Sequence, residues 1–335
     1  VTTCPLQLGS QCYCASSKSS FGASPEKTAV LLLAHGSPDN SDQVPEFLKY
    51  VTGGRTLPAT VIEEIRHRYS LIGFSPLACW TRLQAHQLSQ ALNLPVFVGM
   101  RNWRPFISDS VKAIAAEGYE RVIAICLAPQ NSRTSVGLYR AAVSAGENLP
   151  FEMDFVEEWH DEPLLTKAFL EKLQSAWEKA NQENGARVPI VFTAHSVPER
   201  TIKDGDAYER QSKETAALVA KQAGLDSADW TFAFQSQGMS GGPWIGPTVE
   251  ETIKNLKVKG HRGVFIHPVG FLCDHVEVLY DIDIAFRQFA EQEGMRLWRA
   301  ESLNGSKTLT AALAELVRKR AGRASITGQK LKANG

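Results

Sequence analysis

Neither sign of charge is in excess in this sequence: lysine and arginine total 36, aspartate and glutamate total 36, and the formal net charge is zero. A chain that grips nucleic acid needs a basic field to displace phosphate counterions, so that class of partner is set aside. Long apolar runs are missing too. None approaches the ~18 residues of a membrane span, which leaves at most peripheral membrane contact. Cysteine is sparse, with six in 335 residues, and forms no obvious disulfide framework. Cys79, Cys126 and Cys273 sit singly in apolar surroundings and read as reduced, buried thiols, the usage of a cytoplasmic protein. Cys4, Cys12 and Cys14 lie in the Ser-rich opening TCPLQLGSQCYCASSKSSFGAS. Thiolates at such spacing are able to share an iron–sulfur cluster, but no fourth ligand stands nearby. Residues 1–27, without periodic hydrophobicity, read instead as a flexible leader. The chain starts at Val1 rather than Met, as it would had preceding residues been removed.

What is present is a globular composition, 43% hydrophobic and 21% charged, in a chain long enough for two domains at about 150 residues each. Apolar runs of strand length, at 30–34, 96–100, 122–128, 151–156, 190–194, 231–235 and 264–269, alternate with amphipathic helical stretches such as TRLQAHQLSQAL and LLTKAFLEKLQSAWEKANQ. Strands that are apolar at consecutive positions are buried on both faces, so the alternation predicts α/β architecture with parallel sheets covered by helices. The order repeats. RPFISDSVKAIAAEGYERVIAICLAP has a counterpart in GPTVEETIKNLKVKGHRGVFIHPVG, each a helix closed by a glycine (Gly118, Gly260) and followed by a buried strand. The expectation is two similar doubly wound, Rossmann-like domains related by internal duplication.

Two apolar strands run into a histidine, in VLLLAHGSPD (His35) and PIVFTAHSVPE (His195). Ligands in doubly wound sheets bind beyond the carboxyl ends of the strands, where both fall. The acidic cluster Asp274, Glu277, Asp281 and Asp283 with His275, in CDHVEVLYDID, has no such echo: the matching SRTSVGLY puts Arg133, Thr134 and Val136 where Asp274, His275 and Glu277 stand. If a helix opens there, Asp274, Glu277 and Asp281 line one face at i, i+3 and i+7. Two readings follow. The row is a solvated acidic face with Asp274 as N-cap, or a file of oxygen ligands and proton acceptors leading to the His195 imidazole.

TAHSVPER, FQSQG with PWIGP, and PVGFLCDHVEVLYDID closely resemble motifs of the ferrochelatases, which insert ferrous iron into a porphyrin. AHGSPD, RHRYSLIGFSPLACWTRLQAH and VGMRNWRPFI extend the resemblance over about residues 28–322 in the family's order. It implies a two-domain chelatase-like fold with a porphyrin between the domains. The first domain would comprise 28–155 plus a C-terminal helix at 303–322, the second 156–302, and 323–335 a flexible tail. It also implies His195 and Glu277 as the catalytic and iron-handling pair, with Asp274, His275 and Asp281 as supporting groups on a proton or metal path. His35, Ser37, Arg68, Ser75, Arg101 and Tyr139 would contact the porphyrin, and Trp103, Trp244 and the following Ile245-Gly246-Pro247 would form its wall or plain core. No cofactor is implied beyond substrate Fe2+. A monomer is expected, in transient contact at most with other haem-pathway enzymes.

The anchoring set resembles that of the water-soluble bacterial group acting on coproporphyrin III, a tetracarboxylate, with protoporphyrin IX the next candidate. Two departures stand out: His35 replaces that group's usual tyrosine, and Asn102 its frequent histidine. A histidine in HGS also resembles the catalytic one of the sirohydrochlorin chelatases. Insertion of another metal into another tetrapyrrole, or a carrier role without insertion, are the competing functions; a carrier needs an axial ligand but no acid row.

Overall fold

The computed structural model describes residues 27–145, 149–238 and 242–332, with side chains as far as residue 322. The leader with Cys4, Cys12 and Cys14 lies outside the described residues. β1 (Thr28–Ala34), β2 (Val96–Met100), β3 (Arg121–Cys126) and β4 (Glu152–Val156) make one parallel sheet in the order β2-β1-β3-β4. β5 (Ile190–His195), β6 (Trp230–Gln235), β7 (Gly263–Pro268) and β8 (Arg296–Arg299) make a second, in the order β6-β5-β7-β8. The two orders are the same permutation, so the duplication legible in the sequence is a duplication of topology. β1 and β5 occupy equivalent places, each beside the point where strand order reverses.

Side chains on β1 alternate between faces, and both faces are covered. Val30 and Leu32 join one apolar cluster, Leu31 and Leu33 another, all with no exposed surface. Full burial of each contributes about 1.5–3 kcal/mol, which is why these strands read as unbroken apolar runs. The first of those clusters continues through the helices Leu77–Leu92 and Pro163–Asn184 into Ile190, Phe192 and Ala194 of β5, so one core ties both sheets together. β8 escapes the sequence pattern. As the edge strand RLWR, it carries arginines at both ends and shows no apolar run.

The C-terminal helix Lys307–Lys332 packs on Leu77–Leu92 of the first half and equally on Pro163–Asn184 of the second. Gln84 Nε2 donates to the Asn304 carbonyl at 2.7 Å just before it, and Lys319 Nζ donates to Glu162 Oε2 at 2.7 Å along it. The helix begins at Lys307, not 303, and continues past 322, so the tail expected from 323 is helical as far as Lys332. No proline interrupts that stretch, and Arg323, Ala324, Gln329, Lys330, Leu331 and Lys332 favour a helix against Thr327 and Gly328. One cysteine also departs from expectation. Cys126 and Cys273 are free thiols, but Cys79, half-buried on the first turn of its helix, is disulfide-bonded. No helix among the described residues is long and apolar enough to cross a membrane.

Candidate active site

β5 delivers His195 to the carboxyl edge of the second sheet, in register with Gln235 at the end of β6. Its Nδ1–H donates to the Ser196 carbonyl, which turns Nε2 outward to Glu277 Oε1 at 3.3 Å. Glu277 is placed by a break in regularity. After β7 the chain runs extended through His275 (φ −159°, ψ −175°) and only then winds into the short helix Val276–Leu279, followed by a π-helical stretch at Asp281–Phe286. His275 donates from Nδ1 to the Cys273 carbonyl at 2.9 Å and from Nε2 to Glu277 Oε2 at 3.2 Å. Each carboxylate oxygen of Glu277 thus meets one imidazole. His195 and Glu277 remain 31% and 34% exposed, enough for a substrate to reach both.

The pair polarises itself. Burial alone would push the His195 imidazole down, but the charge and hydrogen bond of Glu277, with help from the Ser196 carbonyl and Asp281, carry it up to about 9. Burial likewise works against an ionised Glu277, and the two histidines overcome it and hold the carboxyl well below its usual range. At neutral pH the resting site is an imidazolium–carboxylate pair. Asp281 lies one turn on, where its Oδ2 accepts from the Ser236 hydroxyl. Burial, reinforced by the charge of Glu277, pushes it up to about 6 against the hold of Ser236 and Arg68.

His195, Glu277, His275 and Asp281 therefore come together as the sequence implied, but Asp274 does not join the row. It is 2% exposed, neither caps the helix nor follows its period, and belongs to the extended segment before it. Its carboxylate accepts from Ser302 Oγ at 2.7 Å, Asn304 Nδ2 at 2.9 Å and Arg299 Nη2 at 3.4 Å, and its own N–H donates to Asn304 Oδ1 at 2.8 Å. These bonds fasten the segment ahead of the C-terminal helix. Asp283 is similarly committed, to Arg299 Nε at 2.6 Å and Nη2 at 2.8 Å. In the first half the counterpart of Glu277, Val136, is 2% exposed and packs in the core. The acid chemistry belongs to one copy only.

His35, at the matching edge of the first sheet, is a different kind of histidine. Nδ1–H donates to the Gly36 carbonyl at 3.0 Å and Nε2 accepts from Asn102 Nδ2 at 3.0 Å, while the Phe47 ring stands edge-on at 5.9 Å. Gly36 has φ +88°, and a Cβ there would lie 2.8 Å from Trp103, so only glycine allows this turn. Burial, with the Arg101 charge beside it, pushes His35 down to about 4, leaving a neutral ring with a fixed tautomer. The two departures noted in the sequence, His35 and Asn102, are thus a hydrogen-bonded pair.

Among the other expected porphyrin contacts, the Arg101 guanidinium lies 5.5 Å over the Tyr139 ring, and its Nε and Nη1 are buried with no hydrogen-bond partner among the described residues. A buried, unpaired guanidinium is a strong anion receptor. Arg68 is stacked 5.0 Å over Tyr280 and bonded to Glu64, with its buried Nε also unpartnered. Tyr139 is 5% exposed and burial pushes its phenol up, while Ser37 is buried beside Tyr69. Ser75 is half-buried just ahead of the helix Leu77–Leu92. Trp103, at 1% exposure, is core with Phe47 and Tyr69, as is Ile245 at 7%, whereas the Trp244 ring sits 6.3 Å from that of His195. Sequence reasoning passed over Gln235 and Ser236, which hold Glu277 and Asp281; their signal was a polar pair closing the apolar strand TFAFQ.

A model of the ferrochelatase family matches residues 27–321. The chain belongs to the ferrochelatase family. Its members are metal chelatases of the lyase class acting in haem biosynthesis, and relatives match along nearly their whole length. A ferrochelatase of Acidobacterium capsulatum is 54% identical over 306 residues, covering 87% of this chain and 94% of that protein. The coproporphyrin III ferrochelatase of Geobacillus thermodenitrificans is 34% identical, covering 87% and 95%. Among solved structures, SirB from Bacillus subtilis with Fe3+ superposes with a TM-score of 0.57 at 11% identity, covering 89% of this chain and 97% of that one. CbiX, the terminal enzyme of sirohaem biosynthesis in denitrifying bacteria, gives a TM-score of 0.50 at 14% identity, covering 87% and 98%. These two establish the chelatase fold, and the family match establishes ferrochelatase as the class of activity.

Proposed function

We propose that this ferrochelatase inserts Fe2+ into coproporphyrin III, with His195 and Glu277 as the reacting pair. The observation that carries the proton and metal chemistry is the 3.3 Å contact between an imidazolium and an ionised carboxylate, each about a third exposed. Insertion must strip the iron of water and remove two pyrrole protons. Glu277 is the anionic oxygen that meets the arriving cation. Once its charge is taken up by iron it no longer holds the His195 proton, so the imidazole loses it and Nε2 becomes free to accept one from a pyrrole N–H. Asp281, pushed up to about 6, is the next acceptor on the way out. The proton that His195 gives up as iron arrives and the first pyrrole proton it takes both leave by Asp281 to water, and the second pyrrole proton restores the imidazolium, so one Fe2+ enters and two protons leave.

Arg101 and Arg68, whose buried, unpartnered nitrogens suit propionates, support a carboxylate-bearing ring, and relatives named coproporphyrin III ferrochelatases support the tetracarboxylate. The direct test is anaerobic incubation with Fe2+ and coproporphyrin III, protoporphyrin IX or sirohydrochlorin, following loss of the free-base absorbance. Faster turnover of either other ring overturns the substrate assignment. Arg68→Ala is expected to raise KM for coproporphyrin III about tenfold, the cost of a charged hydrogen bond, and that for protoporphyrin IX less. Equal effects on both remove its discriminating role.

His35 lies on the opposite half of the fold, and we assign it to the product. Its Nε2 must leave Asn102 to ligate iron, and only metallated porphyrin offers an axial position. His35→Ala should shift the Soret band of bound product and speed its release, with insertion falling much less than in His195→Ala. Equal loss of insertion in both variants would make His35 catalytic. The same reading has the protein working in the cytoplasm as a monomer, with at most peripheral membrane contact and transient encounters with other haem-pathway enzymes. It needs no iron–sulfur cluster or other cofactor.

A further inference from the structure

The first half keeps a copy of the segment that carries Glu277, with Ser132, Arg133 and Thr134 standing where Cys273, Asp274 and His275 stand in the second. This copy has taken other partners: four consecutive residues of it are bonded across to the second half. Gln130, 2% exposed, donates from Nε2 to Thr215 Oγ1 at 3.1 Å and to the Val269 carbonyl at 3.2 Å. The Asn131 N–H donates to Gln211 Oε1 at 2.6 Å. Ser132 Oγ and the Arg133 N–H both donate to Asp206 Oδ2, at 3.2 and 2.8 Å, and Arg133 Nη2 pairs with Asp204 Oδ2 at 2.9 Å. Asp204 is half exposed, but the Asp206 side chain is only 2% exposed. Its other oxygen, Oδ1, accepts the Tyr208 N–H at 3.0 Å where the helix Tyr208–Gln222 begins. Both oxygens therefore lead toward substrate contacts. On the first-half side, the bonded segment runs directly into the helix Val136–Ser144, which carries Tyr139 beneath the Arg101 guanidinium. On the other side, the Tyr208 phenol is hydrogen-bonded to the backbone of His195.

We infer that Asp206 is a positioning residue that holds the porphyrin anchors of the first half in register with the reacting pair of the second. This rests on the assignment of Arg101 to the porphyrin and of His195 and Glu277 to the chemistry. Anchors and pair belong to different sheets, so a ring held by one meets the other correctly only if the two halves keep a single spacing. The apolar core that spans both sheets resists their separation, but apolar burial has no direction. Charge-assisted hydrogen bonds from both halves onto one buried carboxylate fix direction as well as distance. A displacement of about 1 Å between reacting groups costs up to about 100-fold in rate, and it does so without removing any contact that either half makes by itself. The strand-end segment that carries chemistry in the second half has thus become, in the first, the fastener between the halves.

Two variants of the full chain test this. Asp206→Ala removes all the bonds to the carboxylate, whereas Asp206→Asn keeps its shape but turns a donor toward N–H groups that need an acceptor. With Zn2+ in place of oxidation-prone Fe2+, Asp206→Ala should lower kcat for insertion into coproporphyrin III roughly 10–100-fold, and Asp206→Asn should lower it less. KM for both substrates should stay within about twofold, the mark of an interaction that matters only where the two meet. Porphyrin affinity by fluorescence quenching, and Zn2+ affinity without porphyrin, should equal those of the wild type, because each half retains its own groups. Ser132→Ala should have a smaller effect and add nothing to Asp206→Ala, since both remove the same bond. Wild-type kcat in either Asp206 variant overturns the inference. Loss of either affinity in step with kcat also overturns it, by marking a damaged fold, as does full additivity with Ser132→Ala. A wild-type chain that metallates protoporphyrin IX faster overturns the substrate assignment instead, and the same variants are then compared on that ring.

Discussion

His195→Ala is expected to cut metal insertion at least about 100-fold, the usual scale for losing a positioned proton acceptor, with porphyrin binding nearly intact. The separation follows from where the side chains lie. The unpartnered nitrogens that suit propionates belong to Arg68 and Arg101 in the first half of the chain, whereas His195 ends β5 in the second. Fold stability should barely move, because His195 is 31% exposed and its partners Glu277 and Ser196 sit on separately held segments. Anaerobic stopped-flow absorbance measures insertion, and quenching of protein fluorescence measures binding. Turnover above a tenth of wild type would remove His195 from the chemistry. Loss of porphyrin affinity in parallel would make it a wall residue.

Much of this was legible in the sequence, for reasons tied to particular residues. β1 and β5 are buried on both faces, so they could only be written as apolar runs, and a polar residue ending such a run marks the carboxyl edge of the sheet. That made His35 and His195 visible without coordinates. The duplication then isolated Glu277, since its counterpart Val136 packs in the core. What the sequence hid were departures from regular period. β8, with arginines at both ends, has no apolar signature, and a π-helical stretch of six residues at Asp281–Phe286 cannot be told from an α-helix by spacing. The i, i+3, i+7 spacing of Asp274, Glu277 and Asp281 has meaning only inside a helix, and Asp274 lies in the extended chain before it. Contacts between distant polar residues, such as Asn102 on His35 and Ser236 on Asp281, leave no periodic trace at all.

Glu277→Gln should have two effects of different kind, and their combination identifies the mechanism. The amide keeps the shape of the side chain, so the melting temperature should stay within about 2–4 °C, the shift that ~1 kcal/mol produces in a domain of this size. Insertion should nevertheless fall by about two orders of magnitude, because the anionic oxygen that meets the cation is gone. The second effect is on pH. In the wild type the Glu277 charge keeps His195 protonated up to about 9, so protons compete with metal below that value and the metal kcat/KM rises as pH approaches it. Glutamine removes the largest raising charge and leaves burial, which lowers the imidazole, opposed only by the Ser196 carbonyl and Asp281. The rising limb should therefore move from about pH 9 down toward the ordinary imidazole value of about 6.5. A profile of Zn2+ insertion from acid to alkaline pH reads both quantities at once, as the height of the plateau and the position of the limb. A plateau that falls while the limb stays near pH 9 would mean that another group titrates there. His195 would then be a bystander to the proton that metal must displace.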